Sequence, residues 1–229
     1  MGIHDGHRER LRDCFRKDGL AGFDGIRALE LLLQYAIPRR DTNPIAHALL
    51  DRFGSLQAVF DASEQELCEV EGIGPAAAVL IRLVPQLARK SAVDKAAELL
   101  YIQSTADARD YLNPRFLFEQ DEIALLLCLD SQKRVIQCVE LSRGVVNAVN
   151  VSVRRILEIA LKARASSVIL SHNHPDGQMR SSREDDAVTR QVYDSLRAVG
   201  IRLTDHLIFT RGGVFSYQDS GAMQILGFY

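Results

Sequence analysis

From residue 122 onward the chain alternates short apolar runs with helical stretches, and that order decides what it can fold into. IALLLCLD and RVIQCVELS, joined by residues 130–133, predict two adjacent strands. A helix is expected from about Val153 to Ala163, with Ile156, Leu157, Ala160 and Leu161 on one apolar face. SSVIL, residues 166–170, reads as a third strand, stopped by an exposed loop from Ser171 through Pro175 to Gly177. Ser182 and Asp185 open a further helix that runs to about Val199, and IRLTDHLIFT and VFSYQ close the pattern as strands. Such an order implies an α/β domain with helices packed on a mixed sheet.

The first 90 residues hold no β-rich run and read as all helical. IRALELLLQYA, residues 26–36, is a run of helix formers stopped at Pro38. Pro44 suits the first turn of the next helix, Gly54 ends it, and Ser63 with Glu66 makes a capping box for SEQELCEV. Glu71-Gly72-Ile73-Gly74-Pro75 then reads as a glycine hairpin between two short helices, with Ile73 packed between them. Its N–H groups and the following helix end could receive a nucleic-acid phosphate, with Gly72, Ile73, Gly74 and Arg82 as the contacts; a hairpin that only packs is the competing reading. The expected organisation is a helical domain over 1–90, a linker helix over 91–109 leading to a turn at Asn113-Pro114, and an α/β domain over 110–229.

Among 229 residues, 28 Lys and Arg stand against 30 Asp and Glu, a net charge of −2 that cannot hold a polyanion by bulk electrostatics. Any nucleic-acid contact must therefore be local. Cys14, Cys68, Cys128 and Cys138 form no CxxC pair, which argues against a disulfide-stapled module and favours a reducing compartment. Cys128 and Cys138 lie on adjacent predicted strands, where they could be close, and read as ordinary buried cysteines. With no signal-like apolar start and no membrane-length apolar run, a cytoplasmic protein is expected, without membrane partners.

The chemistry concentrates at His172, His174 and Asp185. Residues two apart in an extended segment project to the same side, so both imidazoles can address one metal. Eleven residues after His174, Asp185 returns at the first turn of a helix and offers an oxygen ligand. Two histidines and a carboxylate suit one Zn²⁺ with a fourth position open to water. Proton transfer needs a further carboxylate; Glu122 is the candidate, with Glu119 and Asp121 as equal competitors on spacing alone. Ser182 can cap its helix or donate to an oxyanion. His206 can face the site or sit as a satisfied core residue, and Asp205 can orient it or be a plain turn residue.

SHNHPDG with Ser182 and Asp185 in register, EIALLLCLD before it and LTDHLIF after it resemble the bacterial RadC family, long labelled DNA repair proteins. The likeness extends from RALELLLQYAI through FGSLQAVFDAS to EVEGIGPAAAV, which is similar to that family's helix-hairpin-helix region. It implies a C-terminal domain of the JAB/MPN/JAMM metalloprotease superfamily, with a cytidine-deaminase-like α/β fold. It further implies His172, His174 and Asp185 as zinc ligands, Glu122 as acid and base, and Ser182 near the oxyanion. Glu122 is preferred to its neighbours because it stands eight residues before Asp130, as in the family. The chain departs from the pattern at Arg155, where a Pro-Arg-Glu run is usual, at Asp176 in HNHPDG, and in lacking a lysine after the hairpin.

The leading expectation is a zinc-dependent hydrolase of a peptide or isopeptide bond, with a protein or peptide substrate. The competing one is a DNA-structure-binding repair protein whose metal domain is accessory or a nuclease. His172-Asn173-His174 spells the name of a nuclease motif, but that motif spreads its residues over a ββα unit and needs phosphate-handling cations, of which Arg180 and Arg183 are the nearest here.

Overall fold

A computed structural model describes residues 3–144, 152–175 and 177–228. It divides into two compact units, Met1–Ala88 and Arg89–Tyr229, with the division falling inside a helix.

The first unit is helical, as its composition requires. Its elements are α1 (Ile3–Asp18), α2 (Gly25–Ala36), α3 (Asn43–Phe53), α4 (Leu56–Asp61), α5 (Glu64–Cys68) and the start of α6 (Pro75–Ala96). Local chemistry sets the boundaries. Asp24, Ser55 and Ser63 each accept a backbone N–H in the first turn of α2, α4 and α5, and Gly54 ends α3 at φ +81°. Leu29, Leu33, Ile45, Leu49, Val59, Leu67, Ile73 and Ile81 form the core of this unit.

The second unit follows from α6 with α7 (Thr105–Phe116), β1 (Ile123–Leu129), β2 (Val135–Arg143), α8 (Val153–Lys162), β3 (Ser167–Asn173), α9 (Arg183–Ala198), β4 (Arg202–Thr210), β5 (Gly213–Ser216) and α10 (Ala222–Ile225). The sheet order is β2-β1-β3-β4-β5, parallel between β3 and β4 and antiparallel elsewhere. It is a mixed sheet, as the alternating pattern implies. Alternation along β1 divides the core in two. Ala124, Leu126 and Cys128 pack with α8, α9 and Met223 of α10; Ile123, Leu125, Leu127 and Leu129 pack with Tyr111, Leu112 and Phe116 of α7.

Three expectations change. The 91–109 stretch is not one linker helix: α6 continues past the buried Pro85 to Ala96, Tyr101 bridges to Arg134, and α7 begins at Thr105. Asn113 and Pro114 lie within α7 rather than in a turn, because its buried face on the sheet outweighs the turn signal. β3 continues through His172 to Asn173, since β1 and β4 pair with it on both sides. Cys128 and Cys138 belong to cores on opposite faces of the sheet, and burial pushes each thiol up to about 11. Among the described residues no helix is long and apolar enough to cross a membrane.

Candidate metal centre

His172 and His174 reach one point because β3 carries Val168, Leu170 and His172 on the face covered by α9, and the chain keeps its direction for one more residue. The His174 N–H donates to the Phe209 carbonyl at 2.8 Å, prolonging the pairing with β4. Asp185 comes from the first turn of α9. Ser182 caps that helix, its Oγ accepting the Asp185 N–H at 3.0 Å. The Asp185 carboxylate accepts in return from the Ser182 N–H at 2.8 Å and hydroxyl at 2.6 Å. A capping box thus aims the carboxylate at the imidazoles.

The donor atoms cluster closely. His172 Nε2 lies 2.9 Å from His174 Nε2 and 3.2 Å from Asp185 Oδ1, and His174 Nε2 lies 3.4 Å from Asp185 Oδ2. Four-coordinate zinc with bonds of about 2.0–2.1 Å separates its ligands by about 3.3 Å; each imidazole stands near that distance from one oxygen of the carboxylate, and with one ligand atom from each residue all three lie within 4.8 Å of one another. The outer nitrogens agree. His174 Nδ1–H donates to the Gln178 carbonyl at 3.0 Å, which leaves His174 Nε2 a bare acceptor. An imidazole lone pair and a carboxylate at such separations repel unless a cation stands among them. Burial alone raises the Asp185 carboxyl, but the two imidazoles beside it and the Ser182 hydroxyl hold it well below its usual range, so it keeps its charge.

His206 meets the site from β4. Its Nε2 lies 2.9 Å from His172 Nδ1, and its Nδ1 lies 2.7 Å from Thr189 Oγ1 on α9. Burial pushes this imidazole well below its ordinary value, so it is neutral at neutral pH, and it stacks on Tyr217 at 4.9 Å. Asp205 does not orient it. Lying on the opposite face of β4, the Asp205 carboxylate accepts from Ser216 Oγ at 2.6 Å, the Gln218 N–H at 3.0 Å and only the backbone N–H of His206. It is a buried strand residue, not a turn residue.

An open groove of about 1000 Å³ runs past the cluster, and Asp121, Glu122, His174, Arg180, Ser182, Arg183 and Asp185 are among the residues lining it. Glu119 is occupied elsewhere, its side chain paired with Arg143 at 2.7 Å and with Arg89. Glu122 and Asp121 remain as carboxylates on the groove. Sequence reasoning missed Asn173, whose side chain takes the Ile123 N–H at 2.7 Å and donates to the Asp121 carbonyl at 2.9 Å. Together with the Gly144 N–H on the Glu122 carbonyl at 2.9 Å, these bonds fix the backbone on either side of Glu122. Arg155 serves the sheet, donating to the Leu141 and Glu140 carbonyls at 2.9 and 3.1 Å. Asp176 lies outside the described residues.

In the first unit, Ile73 is buried and Gly72 adopts φ +95°. A Cβ at Gly72 would stand 2.8 Å from Ile45 Cδ1, so both the turn and the close approach require glycine. Gly74 precedes α6 and accepts the Ala77 and Ala78 N–H groups, while Arg82 is exposed along that helix. Arg40, which the sequence did not single out, brings its guanidinium 3.6 Å from that same Gly72 position.

Residues 102–222 match the family described as the RadC-like JAB domain. The chain is 34% identical over 227 residues to UPF0758 protein FN0909 of Fusobacterium nucleatum, across 95% of this chain and 97% of that one. It is 34% identical to a UPF0758 protein of Paraburkholderia xenovorans, across 95% of this chain and 85% of that one, and 33% identical to one of Methylibium petroleiphilum, across 93% and 96%.

Proposed function

The chain belongs to the RadC family of JAB-domain proteins, and from that membership and the His172, His174 and Asp185 cluster we propose a zinc-dependent hydrolase of a peptide or isopeptide bond. The observation that carries the reading is the convergence of two imidazole Nε2 atoms and an ionised carboxylate on one point beside an open groove. His172, His174 and Asp185 would hold the ion. When bound, zinc supplies Lewis acidity that polarises a carbonyl and acidifies a water molecule.

The remaining work falls to the chain's own groups. A Glu122 carboxylate oxygen takes a proton from the attacking water and passes it to the departing amine nitrogen as the C–N bond breaks, leaving a carboxylic acid product and a free amine. Asn173 and Gly144 hold the backbone from which Glu122 reaches the groove. Ser182 has one hydroxyl hydrogen, directed at Asp185; donating to an oxyanion requires that hydroxyl to rotate, with the Ser182 N–H still holding the carboxylate.

Elemental analysis of protein purified without added metal tests the first step. About one zinc per chain is expected, falling to near zero in His174→Ala and staying in Glu122→Gln, which should lose hydrolysis of whatever peptide substrate the wild type cuts. A wild type that takes up no zinc when it is offered ends the hydrolase reading. A second reading, contact with DNA phosphates at Gly72, Ile73 and Gly74, draws on the Arg40 guanidinium beside that turn. It expects Arg40→Ala to weaken DNA binding without altering zinc content.

A further inference from the structure

The hydroxyl of Thr189 carries one hydrogen and stands 2.5 Å from the Asp185 carbonyl oxygen and 2.7 Å from His206 Nδ1, with the Tyr217 hydroxyl also in reach. A carbonyl oxygen only accepts, so the hydroxyl hydrogen must lie on that line; any other placement leaves two acceptors face to face. Thr189 Oγ1 then accepts, and His206 Nδ1–H donates to it. In the neutral ring, His206 Nε2 is left with a lone pair. It stands 2.9 Å from His172 Nδ1, which must therefore carry a hydrogen, and His172 Nε2 is left bare toward His174 and Asp185. The direction of a whole chain of hydrogen bonds is set by one helix carbonyl.

We propose that Thr189 and His206 are positioning residues that select the Nδ1–H tautomer of His172 and so aim its Nε2 lone pair at the metal position. The selection matters because a neutral imidazole in water favours the Nε2–H form, which would place a hydrogen where the ligand bond must form. Packing supports the arrangement. Thr189, His172 and His206 are all buried, and Tyr217 stacks on the His206 ring with its hydroxyl donating to Asp186 at 2.7 Å, so the ring cannot turn without breaking several contacts. His174 reaches the same tautomer by another route, through the Gln178 carbonyl. The two ligands are thus set independently.

The effect on zinc rests on the hydrolase reading above, whereas the tautomer does not, and the test separates them. In the full-length protein, zinc affinity is measured by chelator competition for wild type, Thr189→Val, which keeps the shape and loses the hydroxyl, and Thr189→Ser, which keeps the hydroxyl. Thr189→Val should bind zinc about 10- to 100-fold more weakly and Thr189→Ser close to wild type. His206→Gln, whose amide can accept from His172 and donate to Thr189, should retain more affinity than His206→Leu, with folding checked by circular dichroism. Nitrogen NMR of the imidazoles gives the independent readout: His172 should carry its hydrogen on Nδ1 in the zinc-loaded protein and in zinc-free protein at about pH 9. A hydrogen on His172 Nε2 in zinc-free wild type, or undiminished zinc affinity in Thr189→Val, overturns the proposal. Wild type that binds no zinc yet shows the Nδ1–H form would leave the tautomer chain standing and end only the metal reading.

Discussion

Asn173 lies between the two histidines in sequence and faces away from them in space. Its amide holds two backbone groups at the entrance to β1, the buried Ile123 N–H and the half-buried Asp121 carbonyl. Replacing it by leucine keeps the bulk and abandons both groups, and each buried polar group left without a partner costs about 1–3 kcal/mol. Asn173→Leu should therefore lose about 1–3 kcal/mol in urea unfolding, chiefly through the buried Ile123 N–H, while still taking up zinc, because neither ligand side chain touches the amide. A loss under about 0.5 kcal/mol would mean that water or a shifted backbone serves these groups as well. The two imidazoles were legible in the sequence because a two-residue period is a local property of extended chain. The role of Asn173 was not, since its partners lie up to 52 residues away and are set by the pairing of β1 with β3.

At the scale of elements, caps were legible where nothing contradicted them. Ser63 with Glu66 and Ser182 before Asp185 start helices in the structure as they do in the sequence. Ser104 with Asp107 makes the same cap at the start of α7, within the stretch that reads as a linker helix leading to a turn. Pro114 sits in the last turn of α7 and removes one N–H from the helix, while Ala108, Tyr111, Leu112 and Phe116 are buried on the sheet. Burial over three turns outweighs one missing N–H. The cap has its own signature. Asp107 Oδ2 accepts the Gln103 and Ser104 N–H groups at 2.9 Å each, and hydrogen bonds from the Ser104 side chain and the backbone lower its carboxyl. A lowered folded-state pKa gives stability that is present above the ordinary carboxylate value and lost as pH falls through the folded value. Asp107→Ala should accordingly cost stability at neutral pH, and its difference from wild type in urea unfolding should shrink as pH drops below about 4. A difference that stays constant with pH would show that the mutation acts through helix propensity instead of through the ionised cap.

On the scale of the whole molecule, the division at Ala88 and Arg89 separates cores that share no residue. The change from all-helical to alternating pattern was visible in the sequence; the place of the division was not, because α6 runs through it, continuing past Pro85 to Ala96. Separate cores imply separate responses to perturbation. All three zinc-ligand candidates lie in the second unit, so a bound ion stabilises that unit alone, by about 2.7 kcal/mol when free zinc is 100 times its dissociation constant. Leu49, fully buried in the first unit, reports on the other core, where truncation to alanine removes about 2–5 kcal/mol. Scanning calorimetry of the full chain should resolve two transitions: zinc raises one and leaves the other in place, and Leu49→Ala lowers the other and leaves the zinc-sensitive one in place. Zinc content should remain at the wild-type level in Leu49→Ala. A single transition that moves with both perturbations would mean that continuity through α6 couples the two cores into one cooperative unit, and the hairpin in the first unit would then feel the state of the metal site.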